Sequence, residues 1–248
     1  MELTVLGAGP AYTNRPGATG AAYLVRDGDT TILLDLGQGS FPRLTAEIEP
    51  STLDAVFISH LHPDHFIDLV PLRHYLRYHF SPGRRVRVVG PNGLDGRLDA
   101  LHGQPGFVAE SLDVTALIEG HVPVLGLSVE ARLVTHTDES YGFRVESEGT
   151  GPGLVYSGDC GKADDLAALI RQGDVLLTEV SFGPDPVPPG AMHLNADAVG
   201  RLAASCGAGR VLLTHLQMGH DEAATIEAVR ALFGGPVALV APGSRLTI

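Results

Sequence analysis

Short apolar, β-branched runs, each bounded by Gly, Pro, Asp or Asn, recur along the chain. Runs of this length predict strands, here over 2–6, 21–26, 31–35, 54–58, 86–89, 127–135, 141–146, 153–157, 174–178, 210–214 and 236–240. Asp27-Gly28-Asp29 joins the second and third as a hairpin turn, where Gly supplies the positive φ such turns need. Apolar positions at helical spacing are fewer. They predict a helix over 64–79, opened by Pro63 in its first turn, and one over 163–172, ended by Gly173. Two more are expected: 196–206, with Asn195 as N-cap and Gly207 beyond its end, and 222–233, with Asp221 as N-cap and Gly234-Gly235 after it. Strands first, then strands mixed with helices, imply sheets packed on each other with helices outside. Segments 80–84, 90–96 and 183–190 read as loops. The last directly precedes His193 and is either a plain surface connection or a rim or lid over a site. The sequence contains no repeat, low-complexity tract or linker, so one α/β domain over 1–248 is expected.

Composition narrows the classes. Apolar residues make up 44% of the chain, enough for a sizeable core. No run approaches the ~18–20 apolar residues of a membrane span, so no membrane association is expected. Met1-Glu2-Leu3-Thr4-Val5-Leu6-Gly7 lacks a basic segment before an apolar one, against a secretory signal. Two cysteines, Cys160 and Cys206, make no disulfide framework and suit a reducing, cytoplasmic setting. The formal net charge is −12, and Arg84, Arg85 and Arg87 form the only dense basic cluster, read as a solvated loop and strand edge. Polyanion binding draws on many Lys and Arg contacts, so no long nucleic acid is expected as a partner. A small anionic substrate stays compatible, because bound divalent metals reverse the local field.

The chemistry concentrates after one strand. Val56-Phe57-Ile58 ends in Ser59, and His60, His62, Asp64 and His65 follow within six residues. In an extended stretch His60 and His62 point the same way, while Asp64 and His65 in a first helical turn face a second point nearby. One short turn can therefore feed two neighbouring metals. Neutral imidazoles and a carboxylate suit zinc, and also manganese or iron. A capping Asp among surface histidines is the bland alternative, and four such residues at this spacing argue against it. Three later apolar runs also stop at a ligand type: Arg132-Leu133-Val134-Thr135-His136, Val155-Tyr156-Ser157-Gly158-Asp159 and Val211-Leu212-Leu213-Thr214-His215.

With these residues, in this order, the chain resembles the metallo-β-lactamase superfamily, whose signature is His-x-His-x-Asp-His. The resemblance implies a four-layer αββα sandwich and two divalent metal ions. It implies one ion held by His60, His62 and His136, a second by Asp64, His65 and His215, and Asp159 bridging them, with Asp64 also in the catalytic group. Asp35, in Leu33-Leu34-Asp35-Leu36-Gly37, matches a family aspartate that supports the cluster by hydrogen bonds; a strand-end turn residue is the alternative. One departure is Asp68, where the signature usually has glycine, and it is expected to shift the helix there.

Neighbouring motifs are similar to the ribonuclease Z branch: His136-Thr137-Asp138-Glu139-Ser140-Tyr141-Gly142-Phe143-Arg144, Thr178-Glu179-Val180-Ser181-Phe182 and Met192-His193-Leu194-Asn195. The branch implies His193 as the general acid or phosphate-contacting residue, with Glu179 orienting it and raising its pKa. Ribonuclease Z proper carries a long arm that clamps transfer RNA. Here 22 residues lie between His136 and Asp159, reading as strand, Gly-rich turn and strand, with no room for the arm. That spacing and Ser157-Gly158-Asp159-Cys160-Gly161 are similar to short relatives that hydrolyse cyclic nucleotides. The implied activity is hydrolysis of a small phosphodiester, a cyclic nucleotide first, by water activated at the metals. Three other readings stand beside it: a ribonuclease Z-type RNA endonuclease, a hydrolase of lactones, thioesters or β-lactams, and a non-catalytic metal-binding protein of cofactor biosynthesis. Relatives are often dimers, and by analogy a homodimer is expected. Arg144 is a substrate donor or a strand-surface arginine, Cys160 a buried small residue or a thiol near the metals, and His220 a pocket residue or a surface histidine. His74, His79, His102 and His121 lack ligand-type neighbours and are read as structural.

Overall fold

The computed structural model describes residues 1–147 and 151–248, so residues 148–150 of the expected Gly-rich turn lie outside the described residues. Among those residues the chain builds two mixed sheets. The first runs in chain order through β1 (Glu2–Gly7), β2 (Ala22–Asp27), β3 (Thr30–Leu34), β4 (Ala55–Phe57), β5 (Val86–Gly90) and β6 (Leu112–Ala116). The second runs through β7 (Gly120–Val124), β8 (Leu127–Leu133), β9 (Tyr141–Ser147), β10 (Leu154–Tyr156), β11 (Val175–Glu179), β12 (Arg210–Thr214) and β13 (Val237–Leu239). Strand β14 (Arg245–Thr247) then returns to the first sheet beside β1. Strands β3 to β6 are mutually parallel, as are β10 to β13.

The central strands are apolar on both faces because both faces are buried. Ile32, Leu34, Ala55 and Phe57 pack inward against Phe143, Val145, Leu177 and Leu212 of the facing sheet. Leu33, Val56 and Ile58 point outward under α1 (Phe41–Glu47), α2 (Pro63–Phe66), α3 (Leu69–Tyr78) and α4 (Leu94–His102). On the far side, Val155, Leu176, Val211 and Leu213 lie under α5 (Ala196–Cys206) and α6 (Glu222–Arg230). The four-layer αββα sandwich is therefore present, with period-two alternation deciding which layer each side chain joins. No helix among the described residues is long and apolar enough to cross a membrane.

The caps expected at Asn195 and Asp221 form, accepting from Ala198 N at 3.1 Å and Ala224 N at 2.7 Å. The helix expected over 64–79 is instead two, interrupted at Ile67 and Asp68. Pro71 explains the break: in a continuous helix its ring would meet the Ile67 carbonyl, whereas in the first turn of α3 its missing N–H costs nothing. Asp68 uses the break, its Oδ2 accepting from Phe41 N at 2.8 Å and its N–H donating to Leu36 O at 3.0 Å. The helix expected over 163–172 shrinks to a 3₁₀ turn at Ala163–Leu166. Two carboxylates tie the segment down: Asp165 accepts from Thr135 N and Asp174 accepts from Arg171 N. The loop expected over 90–96 contains the start of α4, behind Gly93 at φ +78°. Strands β6, β7 and β14 and helix α1 were not expected; β6 and β7 are half-exposed edges with little apolar signal.

Candidate metal centre

Every residue expected to bind metal follows the C-terminal end of a strand, and the two sheets bring those ends to one rim. Beyond β4 the chain bends at Leu61 and His62, and His62, at φ −83° and ψ 142°, is the N-cap of α2. Pro63 then starts the helix that carries Asp64 and His65 inward. His136 follows β8, Asp159 follows β10 and His215 follows β12. Gly158 sits at φ +55°, and a Cβ there would lie 2.9 Å from Tyr141 O and 3.0 Å from Ser59 Cβ, so only glycine lets Asp159 approach. Asp35 and His215 themselves adopt left-handed φ of 58° and 57°, at about 1–2 kcal/mol each. Backbone bonds from Asp35 N to Phe57 O (2.8 Å) and from His215 N to Ala8 O (3.0 Å) hold them there.

The donor atoms form two groups around one carboxylate. In the first, His62 Nδ1 lies 3.0 Å from His60 Nε2 and 3.1 Å from His136 Nε2. Asp159 Oδ2 is 3.8 Å from His60 Nε2 and 3.7 Å from His136 Nε2. In the second, Asp159 Oδ1 is 3.3 Å from His65 Nε2 and 3.5 Å from His215 Nε2, with Asp64 Oδ2 3.2 Å from His215 Nε2. Each group could hold a metal ion, its donor atoms lying within 4.8 Å of one another. The fit to a cation has a direct sign: His65 Nε2 and Asp159 Oδ1 are buried and make no hydrogen bond. Such orphans cost about 1–3 kcal/mol each unless something pairs them.

The supporting bonds turn the right nitrogens inward. Asp35, fully buried, accepts from Ser59 N (2.7 Å), Ser59 Oγ (2.8 Å) and Tyr156 Oη (2.6 Å), and faces His65 Nδ1 at 2.7 Å. His136 Nδ1 donates to Met192 O at 2.8 Å. With Nδ1 protonated in these rings, Nε2 is the free donor, the arrangement usual for metal-bound imidazole. Burial, then the neighbouring His65, holds His60 well below the usual imidazole range, and burial, then His136, lowers His62. Burial also opposes charge on His65, but Asp159 and Asp35 outweigh it and raise that ring well above the range. The carboxylates that keep a proton there would equally hold a cation.

His193 stands beside the two groups. Its Nδ1 is 2.9 Å from Glu179 Oε1 and 3.9 Å from Asp159 Oδ2. Burial alone would lower it, yet the bond and charge of Glu179 prevail and its pKa is raised. Glu179 is fully buried and also accepts from Cys160 N at 2.8 Å. His193 lines a cavity of about 380 Å³ with His62, Asp64, Asp159 and His215, walled by Pro10, Ala11 and Tyr12.

Other expectations are resolved or corrected. Arg144 is neither a substrate donor nor a surface residue: it is 2% exposed and bonded to Asp174 Oδ2 at 2.7 Å. Cys160 is buried, and burial pushes its thiol up to about 12, far from a thiolate ligand. His220 bonds Asp185 at 3.0 Å, away from the cavity. None of 183–190 lines that cavity; within the segment Asp185 bonds His220 and its carbonyl accepts from Asn195 Nδ2 at 3.0 Å. The cavity wall comes instead from residues 10–12, whose Ala-Tyr pair after a Pro carried no signal. Arg85 pairs with Asp113, and Arg84 covers the Phe80 ring. Ser59 and Ser181, quoted within motifs but given no role, turn out to be hydrogen-bond centres.

A family model described as Beta-lactamase superfamily domain matches residues 30–216. An uncharacterized protein of Mycobacterium leprae is 34% identical over 255 residues, covering 100% of this chain and 89% of its own. Ribonuclease Z of Mycobacterium bovis is 30% identical over 199 residues, covering 73% and 70%. The crystal structure of the metallo-β-lactamase fold protein YhfI from Bacillus subtilis superposes with a TM-score of 0.87 at 23% identity, covering 99% of each chain.

Proposed function

The chain belongs to the metallo-β-lactamase superfamily, and from that premise we propose that it is a metal-dependent hydrolase that uses two divalent ions to cleave a small phosphodiester, a cyclic nucleotide being the leading candidate. His60, His62 and His136 would hold one ion, Asp64, His65 and His215 the other, with Asp159 shared. Zinc suits this imidazole-rich set best, and manganese or iron is compatible with it. When bound, such ions lower the pKa of water and neutralise charge on phosphoryl oxygens.

The observation that carries the phosphodiester reading is the His193–Glu179 pair beside Asp159. Glu179 occupies Nδ1 and keeps a proton on the ring, leaving Nε2 to serve the departing ester oxygen. The cavity of about 380 Å³ suits a small ligand. The net charge of −12 and the 22 residues between His136 and Asp159 favour a small substrate over a folded RNA.

The similarity to a ribonuclease Z supports a second reading, an RNA endonuclease. One comparison separates them: metal-loaded protein assayed on 3′,5′-cyclic AMP and on precursor transfer RNA with a 3′ trailer. We expect metal-dependent turnover of the first. Efficient trailer removal with no cyclic-nucleotide turnover would establish the second reading instead.

A further inference from the structure

Two buried hubs of one design flank the ligand groups, one at the rim of each sheet. In the first, Asp35 and Ser59 face the Nδ1 atoms of His60 (3.1 Å from Ser59 Oγ) and His65 (2.7 Å from Asp35 Oδ2). In the second, Glu179 and Ser181 face the Nδ1 atoms of His193 and His215. Ser181 is fully buried, as is Glu179. Its hydroxyl donates to Glu179 Oε2 and lies 3.0 Å from His215 Nδ1 and 3.2 Å from His193 Nδ1.

Proton counting fixes the directions. An ionised carboxylate only accepts, so the single hydroxyl proton of Ser181 goes to Glu179, and the oxygen's lone pairs are left for N–H donors. His215 Nδ1 must then donate to Ser181. That bond fixes which nitrogen faces Ser181 and aims the other, Nε2, at Asp64 Oδ2 (3.2 Å) and Asp159 Oδ1 (3.5 Å), where a bound cation would replace the proton Nε2 otherwise gives to Asp64. The same hydroxyl orients the carboxylate whose other oxygen holds His193. We propose that Ser181 is a positioning residue that couples the two functions of this rim, aiming His215 at the second metal position and, through Glu179, His193 at the leaving group. The first half concerns only metal binding; the second rests on the phosphodiesterase reading above.

Ser181→Ala is expected to fold, because Glu179 keeps its bonds from Cys160 N and Ser181 N. Losing a bond that orients a ligand costs about 10–100-fold in metal affinity. Chelator competition on zinc-reloaded protein should therefore show one of two zinc ions weakened by about that factor in Ser181→Ala, the other unchanged. Ser181→Thr, which keeps the hydroxyl, should restore it. The ring nitrogen shifts of His215 in the metal-free protein should move away from the Nδ1–H tautomer in the alanine variant only. At saturating zinc, kcat on bis(p-nitrophenyl) phosphate should fall with KM unchanged, and the loss should vanish in a His193→Ala background. Unchanged zinc affinities and His215 shifts would overturn the proposal, as would equal weakening of both ions with a general loss of thermal stability. The zinc and nitrogen readouts need no substrate, so an absence of phosphodiester turnover in the wild-type protein would sink the substrate reading while these still decide the role of Ser181.

Discussion

His193 stands outside the two donor groups that share Asp159, its Nδ1 held by buried Glu179 at 2.9 Å. Removing it should leave metal binding intact and slow the chemistry. We expect His193→Ala to lower kcat on a phosphodiester by roughly 10²–10⁴-fold, the range for a general acid, with metal content unchanged by elemental analysis. A variant that lost metal yet kept its turnover per bound ion would instead make His193 a ligand. At this scale the sequence was most legible where several apolar runs in turn stopped at His or Asp, because the set points to one shared site where each alone reads as a cap or surface residue. Ser59 and Ser181 stayed silent for the opposite reason. A serine after a strand is ordinary, and its role depends on which ring the other elements bring within 3 Å or so, a matter of tertiary placement.

Elements were legible where burial imposed a period. Strands β3, β4, β11 and β12 are apolar on both faces, while the edges β6 and β7 expose most of their residues and gave no run to read. Pro71 and Asp68 were present in the sequence, and a proline seven residues into an expected helix is a physical reason to split it. The buried Arg144–Asp174 pair shows what spacing could not. It pins β9 to the turn before β11, and Asp174 Oδ1 also accepts from Gly153 N at 2.7 Å, just ahead of β10. Burial opposes the Asp174 charge, but Arg144 and these backbone donors lower its pKa in the fold. A depressed folded-state pKa contributes stability that is full above the unfolded value, near 4 for aspartate, and is lost as pH falls through the lower folded value. Urea midpoints of the wild-type protein should therefore decline below about pH 4. Asp174→Ala should be destabilised by roughly 1–3 kcal/mol at neutral pH, because Arg144 loses two bonds but keeps Glu146, and its acid decline should be shallower. Parallel pH curves for the two proteins would show that the pair does not set the acid sensitivity.

For the whole molecule, the donors come from both sheets: His60, His62, Asp64 and His65 from the first, His136, Asp159 and His215 from the second. The layer order was implied by the resemblance that the ligand motifs carry and by strands giving way to strands mixed with helices. What the sequence could not show is which polar bonds cross that seam besides those a cation would make. Among those present are Tyr141 N to Ser59 O at 3.0 Å, Tyr156 Oη to Asp35 at 2.6 Å, and Tyr23 Oη with Thr214 Oγ1 at 2.6 Å. Bound ions would therefore act as staples between sheets as well as reagents. A ligand that binds only the folded state at a thousand times its Kd adds about 4.1 kcal/mol. For a chain of this size each kcal/mol moves the thermal midpoint by roughly 2–4 °C. Stripping the metal with a chelator should thus lower the midpoint by about 8–16 °C per ion held that tightly, and zinc should restore it. Hydrogen exchange should quicken in the same experiment at residues 59–65 and 213–216, where the two sheets meet, and stay unchanged under the outer helices. A midpoint that does not move, in protein shown by elemental analysis to have held metal and then lost it, would mean that the sheets close without the cations and that the cluster serves chemistry alone.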